Sequence, residues 1–360
     1  MHVYIGTYTT GKSESQGIYR ARLDLATGEL SPPELAAAST SPSFLAVHPQ
    51  NRFLYAVNEV ATFEGAATGA VSAFAVDGRT GALSPLNQQS SGGAGPAHVA
   101  VDRAGRNVLV ANYGGGSVAS LPIDADGRLK PAASVITHAG SSVHPKRQTK
   151  PYAHSINVDP SNTFAYAADL GADRVFIYRL DADRGTLTSA TPASVALAPG
   201  AGPRHFAFHP SGRYAYVINE LALTVTAFRR DASAGALTEI QTVSTLPAGQ
   251  AADAAFSTAE VVVHPSGRFL FGSNRGHDSL VVFAIDQATG MLTYVEHEPT
   301  QGSIPRGFGV DPTGRFLLAA NQRSDSLVVF RIDQQTGALT PTGQSIKVAT
   351  PVSVVFVPVS

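Results

Sequence analysis

Among the histidines, arginines and carboxylates of this 360-residue chain, seven stand out as able to bind an anion and move protons: His154, Arg204, His205, Glu220, Glu260, Arg275 and Arg306. A guanidinium offers forked donors to an oxyanion, a carboxylate or a phosphate. A histidine or carboxylate beside it can take or give a proton. Three arginines, two carboxylates and two histidines are costly to desolvate together, so gathering them in one concave site points to function rather than packing. They are spread along the chain from His154 to Arg306, and what can gather them is a repeat.

The repeat is clearest between Pro203 and Glu220. Phe206 and Phe208 alternate with smaller residues, His209-Pro210-Ser211-Gly212-Arg213 makes a turn, and Tyr214, Tyr216 and Ile218 alternate again. Period-two aromatics split by Pro-Ser-Gly read as a tight hairpin. Related turns are HPQNR at 48–52, DRAGR at 102–106, DPSNT at 159–163, HPSGR at 264–268 and DPTGR at 311–315. A third apolar run follows each hairpin, as in AVSAFAVD, RVFIYRLD and SLVVFRID, then a turn such as TGAL and a weaker fourth stretch. Six such units are complete. PVSVVFVP (351–358) fits a first strand, HVYIGTYTT a second and GIYRARLD (17–24) a third, so the two chain ends complete a seventh. The expected fold is all-β: a seven-bladed β-propeller of four-stranded blades, closed by N- and C-terminal strands in one blade. Residues 1–360 then form a single domain, although length alone suggests about two or three. The absence of tryptophan excludes WD-type blades. Long loops are expected at Glu59–Gly69, Thr137–Tyr152 and Leu246–Ala259. The second is basic, with His144, Lys146, Arg147 and Lys150, and reads either as a solvated, flexible loop or as part of the site.

Recognising the repeat removes false candidates. His48, His209 and His264 share a turn slot with Asp102, Asp159 and Asp311, and Arg52, Arg106, Arg213, Arg268 and Arg315 share another. These slots shape turns. The opposite, open end of each hairpin rings one mouth of the central channel. Five residues before the turn His/Asp stand Ser43, Ala97, His154, Arg204, Ala259, Arg306 and Val352, followed by Phe44, His98, Ser155, His205, Glu260, Gly307 and Ser353. The second strand ends in Asn58, Asn112, Asp169, Asn219, Asn274, Asn321 and Gly6, followed by Glu59, Tyr113, Leu170, Glu220, Arg275, Gln322 and Thr7. The charged members come from the third to the sixth repeats and are expected on one side of the channel. Asn219, Asn274 and Gln322 join them as substrate contacts, though an asparagine recurring in nearly every blade also suits backbone binding.

Other chemistries lack their signatures. Net charge is -1, which gives no general reason to bind nucleic acid or an anionic membrane. No cysteine is present, so thiolate chemistry and disulfides are excluded. There is no GxSxG elbow. Gly114-Gly115-Gly116 precedes no helix, and no HxH or HExxH pair suggests a metal. His277 and His297 stand isolated. Met1-His2 runs straight into VYIGTY with no leader pattern, so a cytoplasmic protein is expected, a monomer or weak homo-oligomer without cofactor or metal.

With these residues in view, the chain resembles the seven-bladed propeller lactonase family, which includes cycloisomerase 2-type 6-phosphogluconolactonases and fungal carboxymuconate-lactonizing enzymes. GPRHFAFHPSGRYAYVINEL (202–221), SNRGHDSL (273–280), PRGFGVDPTGRFLLAANQ (305–322) and PYAHSINVDP around His154 carry the resemblance, which covers essentially the whole chain. The family's proposed catalytic His, Arg, Glu and Arg fall on His154, Arg204, Glu220 and Arg275. The departure is Tyr152, where many relatives are expected to carry a second histidine. The resemblance implies hydrolysis of a small anionic lactone, 6-phospho-D-glucono-1,5-lactone first. Glu220 or His154 would be the general base, and Arg204 and Arg275 would polarise the carbonyl. Arg306 or the basic loop would hold the phosphate, while His205 and Glu260 would bind and orient. A muconate-type cycloisomerase and a non-enzymatic propeller binding an anion or partner at its mouth are the alternatives.

Overall fold

A computed structural model describes residues 1–359; Ser360, the last residue of the expected domain, lies outside them. The described residues form seven sheets of four antiparallel strands. The fourth blade is Pro203–Phe208, Tyr214–Asn219, Thr224–Arg230 and Leu237–Ser244, in sequential order from the channel outward. The innermost strands of neighbouring blades lie side by side around the ring. In the closing blade Pro351–Val357 is innermost and pairs antiparallel with His2–Thr7, from Val357 opposite His2 to Pro351 opposite Thr7. Gly17–Arg22 and Glu34–Ala38 complete it. The expected fold and its closure are what the chain adopts.

Packing explains why the repeat has this spacing. A four-stranded sheet has two apolar faces, and each blade buries both against its neighbours. Seven apolar clusters result, one per interface; the cluster between the third and fourth blades joins Tyr166, Ile177 and Phe164 to Phe206, Val217 and Phe228. Second-strand tyrosines pin one blade to the next: Tyr55 Oη donates to Gly127 O at 3.0 Å, Tyr166 to Gly235 O at 2.7 Å and Tyr216 to Gly290 O at 3.0 Å. These carbonyls belong to the outer TGAL-type turns. Gly290 has φ 76°, and a Cβ there would sit 2.4 Å from the Tyr214 ring, so only glycine fits.

The turn histidines act as scaffold. Nε2 of His48, His209 and His264 lies 2.9, 2.9 and 2.8 Å from the carbonyls of Gly105, Gly267 and Gly314 in the following blade. Hydrogen bonds thus tie together the turn end of the propeller, leaving the opposite end free for chemistry.

Candidate active site

The site stands on a ring of backbone irregularities. In six blades the register between the first and second strands shifts near the channel mouth, as between Pro203 and His205, Ala153 and Ser155, and Pro305 and Gly307. Each shift is a β-bulge, which leaves one residue unpaired and re-aims its side chain. The extra residues include Ala97, His154, Arg204, Arg306 and Val352. Plain alternation would place Arg204 and His205 on opposite faces; with the bulge, both reach the channel.

At the mouth lies a cavity of about 260 Å³. Glu220 is its electrostatic centre, with a side chain 4% exposed. Its Oε2 is 3.0 Å from Arg275 Nη2 and 3.1 Å from Arg204 Nε. Its Oε1 accepts from Arg147 Nη2 at 2.5 Å. Burial alone would raise this carboxyl, but Arg275, Arg204 and Arg147 outweigh it and hold Glu220 at about 2. Arg204 also donates through Nη1 to Ala259 O. Burial and the charges of Arg275 and Arg306 lower it to about 9, still protonated at neutral pH. Arg275 also donates to Thr258 O at 2.8 Å. Arg306 lies 5.4 Å from the Tyr8 ring centroid and forms no ion pair within 4 Å among the described residues.

His154 lines the same cavity, and its Nδ1 has no hydrogen-bond partner. Burial, then the Arg204 charge, lower its pKa well below the usual histidine value, so the ring is neutral at pH 7. Glu59 closes the far wall. Its Oε2 accepts from Tyr8 Oη at 2.8 Å and Ser43 Oγ at 2.5 Å. The Tyr113 ring meets that of His154 edge-on, with centroids 5.2 Å apart.

The four expected catalytic residues therefore meet, with Arg306 beside them, but the grouping is wider than expected. The site is not confined to the third to sixth blades: Glu59 from the first, Tyr113 from the second and Tyr8 from the closing blade complete it. Glu59 and Tyr113 occupy the slot of Glu220 and Arg275, so slot position was the signal that could have found them. Arg147 is the fourth guanidinium, so of the two readings of the basic loop the structure favours the one that makes it part of the site.

His205 and Glu260 lie one layer deeper. His205 Nδ1 is 2.7 Å from Glu260 Oε1, and its ring packs 5.2 Å from that of His154. Both line a second channel cavity, of about 430 Å³, walled largely by apolar side chains. His205 also touches the small space under Arg204 and Arg306. Burial pushes Glu260 up to about 7, against the opposing pull of Arg204 and His98. This pair supports the floor and does not line the mouth cavity.

The expected substrate contacts Asn219 and Asn274 turn into their blades instead. Asn219 Nδ2 donates to Thr224 and Thr226, each at 2.9 Å, and Asn274 Nδ2 to Thr245 O at 2.7 Å. Their slot ties strand ends to neighbouring loops, as Asn112 and Asn321 do with Ser91 O and Thr300 O. Gln322 is half-buried, is not among the residues lining the mouth cavity, and bonds only through its backbone N–H to Ile304 O.

Among known proteins, the family described as "Lactonase, 7-bladed beta-propeller" matches residues 2–356. A 6-phosphogluconolactonase of Bacillus subtilis is 40% identical over 308 residues, 86% of this chain and 84% of the relative. One from Formosa agariphila is 33% identical over 312 residues, 86% of each. A solved structure described as the periplasmic gluconolactonase of Pseudomonas aeruginosa superposes with a TM-score of 0.92 at 38% identity, covering 100% of this chain and 99% of that one.

Proposed function

The chain belongs to the seven-bladed β-propeller lactonase family, and we propose that it hydrolyses 6-phospho-D-glucono-1,5-lactone to 6-phosphogluconate without a metal. One observation carries this choice of substrate. Four guanidiniums, of Arg147, Arg204, Arg275 and Arg306, face two carboxylates, Glu59 and Glu220, so the pocket holds a surplus of two positive charges. A phosphomonoester carries close to two negative charges at neutral pH. An unphosphorylated aldonolactone carries none. The small, strongly polar cavity suits one compact sugar derivative.

His154 acts as general base. Its free imidazole takes a proton from water as that water's oxygen bonds to the lactone carbonyl carbon. The charge developing on the carbonyl oxygen is stabilised by Arg275, with Arg204 behind it and Arg306 alongside. Collapse of the tetrahedral intermediate breaks the ring C–O bond, and His154 returns its proton to the departing oxygen. Positioned base catalysis contributes about 10²–10⁴-fold, and one oxyanion donor about 10²–10³-fold. Glu220 is poorly placed for the base role, since both its oxygens already face guanidiniums, Oε1 that of Arg147 and Oε2 those of Arg204 and Arg275. It serves instead to align the arginines.

The test compares kcat/KM for freshly generated 6-phosphogluconolactone, gluconolactone and a muconate-type dicarboxylate lactone, each corrected for spontaneous opening. The phosphorylated lactone is expected to lead. A preference for the dicarboxylate would favour the cycloisomerase reading, and tight anion binding without turnover would favour a binding protein.

A further inference from the structure

We propose that Arg147 is the specificity-determining residue of this pocket: it receives the substrate's phosphate, leaving Arg275 and Arg306 for the carbonyl. The inference rests on the lactonase reading above.

Three observations place Arg147 apart from the other guanidiniums. First, it stands at the rim. Its side chain is 40% exposed, against 3% for Arg204 and 12% for Arg275. A phosphate dianion is costly to dehydrate, so a rim cation can bind it while water covers the remaining oxygens. Second, Arg147 makes its contacts through one nitrogen. Nη2 bonds Glu220 Oε1 and, at 3.2 Å, Tyr113 Oη; its other N–H groups have no acceptor among the described residues and remain for a ligand. Third, Arg147 contributes half of the pocket's charge surplus. Without it, one positive charge remains in excess, too little to balance a phosphate.

The loop that carries Arg147 is built to hold it there. Gln148, fully buried, donates to Leu170 O at 2.9 Å and to Asp173 Oδ1 at 2.7 Å, and its Oε1 accepts from the His144 N–H at 3.0 Å. His144 Nδ1 accepts from the Arg147 N–H at 3.2 Å. Asp169 fastens both ends of the loop: Oδ2 lies 2.7 Å from His138 Nδ1, and Oδ1 accepts from the Tyr152 N–H at 2.8 Å. Asp169 occupies the slot that is asparagine in five other blades. An acceptor-only side chain there can serve loop donors from both directions at once. The loop is thus anchored rather than loose, and it delivers one cation to the mouth.

The test measures kcat and KM of the full-length wild type, Arg147→Ala and Arg147→Lys on 6-phosphogluconolactone and gluconolactone. A lost charge-assisted pair predicts that the ratio of kcat/KM values, phosphorylated over unphosphorylated, falls about tenfold to a hundredfold in Arg147→Ala, through KM. Lysine should recover part of it as a point charge. Binding of 6-phosphogluconate against gluconate, by calorimetry, should show the same selective weakening. An unchanged ratio, with both substrates losing equally, would mean that Arg147 acts only through Glu220 and would overturn the proposal. Wild-type protein that opens neither lactone above the spontaneous rate is a different failure, that of the lactonase reading beneath it.

Discussion

Replacing Glu220 by glutamine removes the negative charge that three guanidiniums share while keeping side-chain size. Arg204, Arg275 and Arg147 then face one another without a counter-ion in a site where Glu220 is 4% exposed. The carboxyl is held at about 2 against an ordinary 4.5, and each unit corresponds to about 1.4 kcal/mol, so its ionised form contributes roughly 3 kcal/mol at pH 7. Breaking a buried pair by removing one partner costs about 3–5 kcal/mol, consistent with that figure. With an unfolding entropy near 2.1 cal/mol/K per residue, the expected Tm loss is about 4 °C. The sign with pH follows from a depressed carboxyl. Its stabilisation is complete above about 4.5 and disappears as pH falls toward 2, so the gap between wild type and Glu220→Gln should narrow to roughly half by pH 3. Calorimetric melts at pH 7 and pH 3, with pH–rate profiles beside them, give the answer. Glu220→Gln should lower kcat/KM without moving the acid limb of the profile. An unchanged Tm together with an acid limb that disappears in the variant would make Glu220 the general base and refute this account.

Glu260 is the converse case. Burial raises it to about 7, so its ionisation costs stability as pH climbs from 4.5 through 7. Glu260→Gln should therefore melt higher than wild type at pH 8, by an increment of up to about 3 kcal/mol, and alike at pH 4.5; a variant less stable at both pH values would show that the His205 bond requires the carboxylate. Deleting residues 351–360 removes the innermost strand of the closing blade and exposes the cluster of Val3, Ile5, Phe316 and Leu318, so the cooperative unfolding transition should disappear; a melting curve like that of the full chain would contradict the closure.

The fold was legible because its signals are local and repeated. HPSGR-type turns, TGAL turns and period-two aromatics recur in nearly every blade, and the two chain ends supply the missing strands of the seventh. The candidate site was legible as far as slot counting reaches. His154, Arg204, Glu220, Arg275 and Arg306 are departures from a repeated background, and departures show against repetition. What escaped has physical causes. Side-chain direction at the mouth depends on the bulges, which leave no mark in composition. Asn219 and Asn274 share the open end, yet their amide nitrogens donate to neighbouring strands and loops. Tyr8 is close in space to Arg306 only because the ring closes, and sequence distance hides that. Arg147 and its basic loop were visible as a possible part of the site, but the loop's path is fixed by buried Gln148 and Asp169, contacts that no spacing rule announces.

The most direct measurement of the central claim is hydrolysis of freshly generated 6-phosphogluconolactone in a coupled assay with EDTA present, for wild type, His154→Ala and Arg275→Ala. The account predicts turnover well above spontaneous opening, unchanged by EDTA, and falling about a hundredfold or more in each variant. A wild-type rate no faster than the uncatalysed reaction, or turnover indifferent to both substitutions, would contradict it.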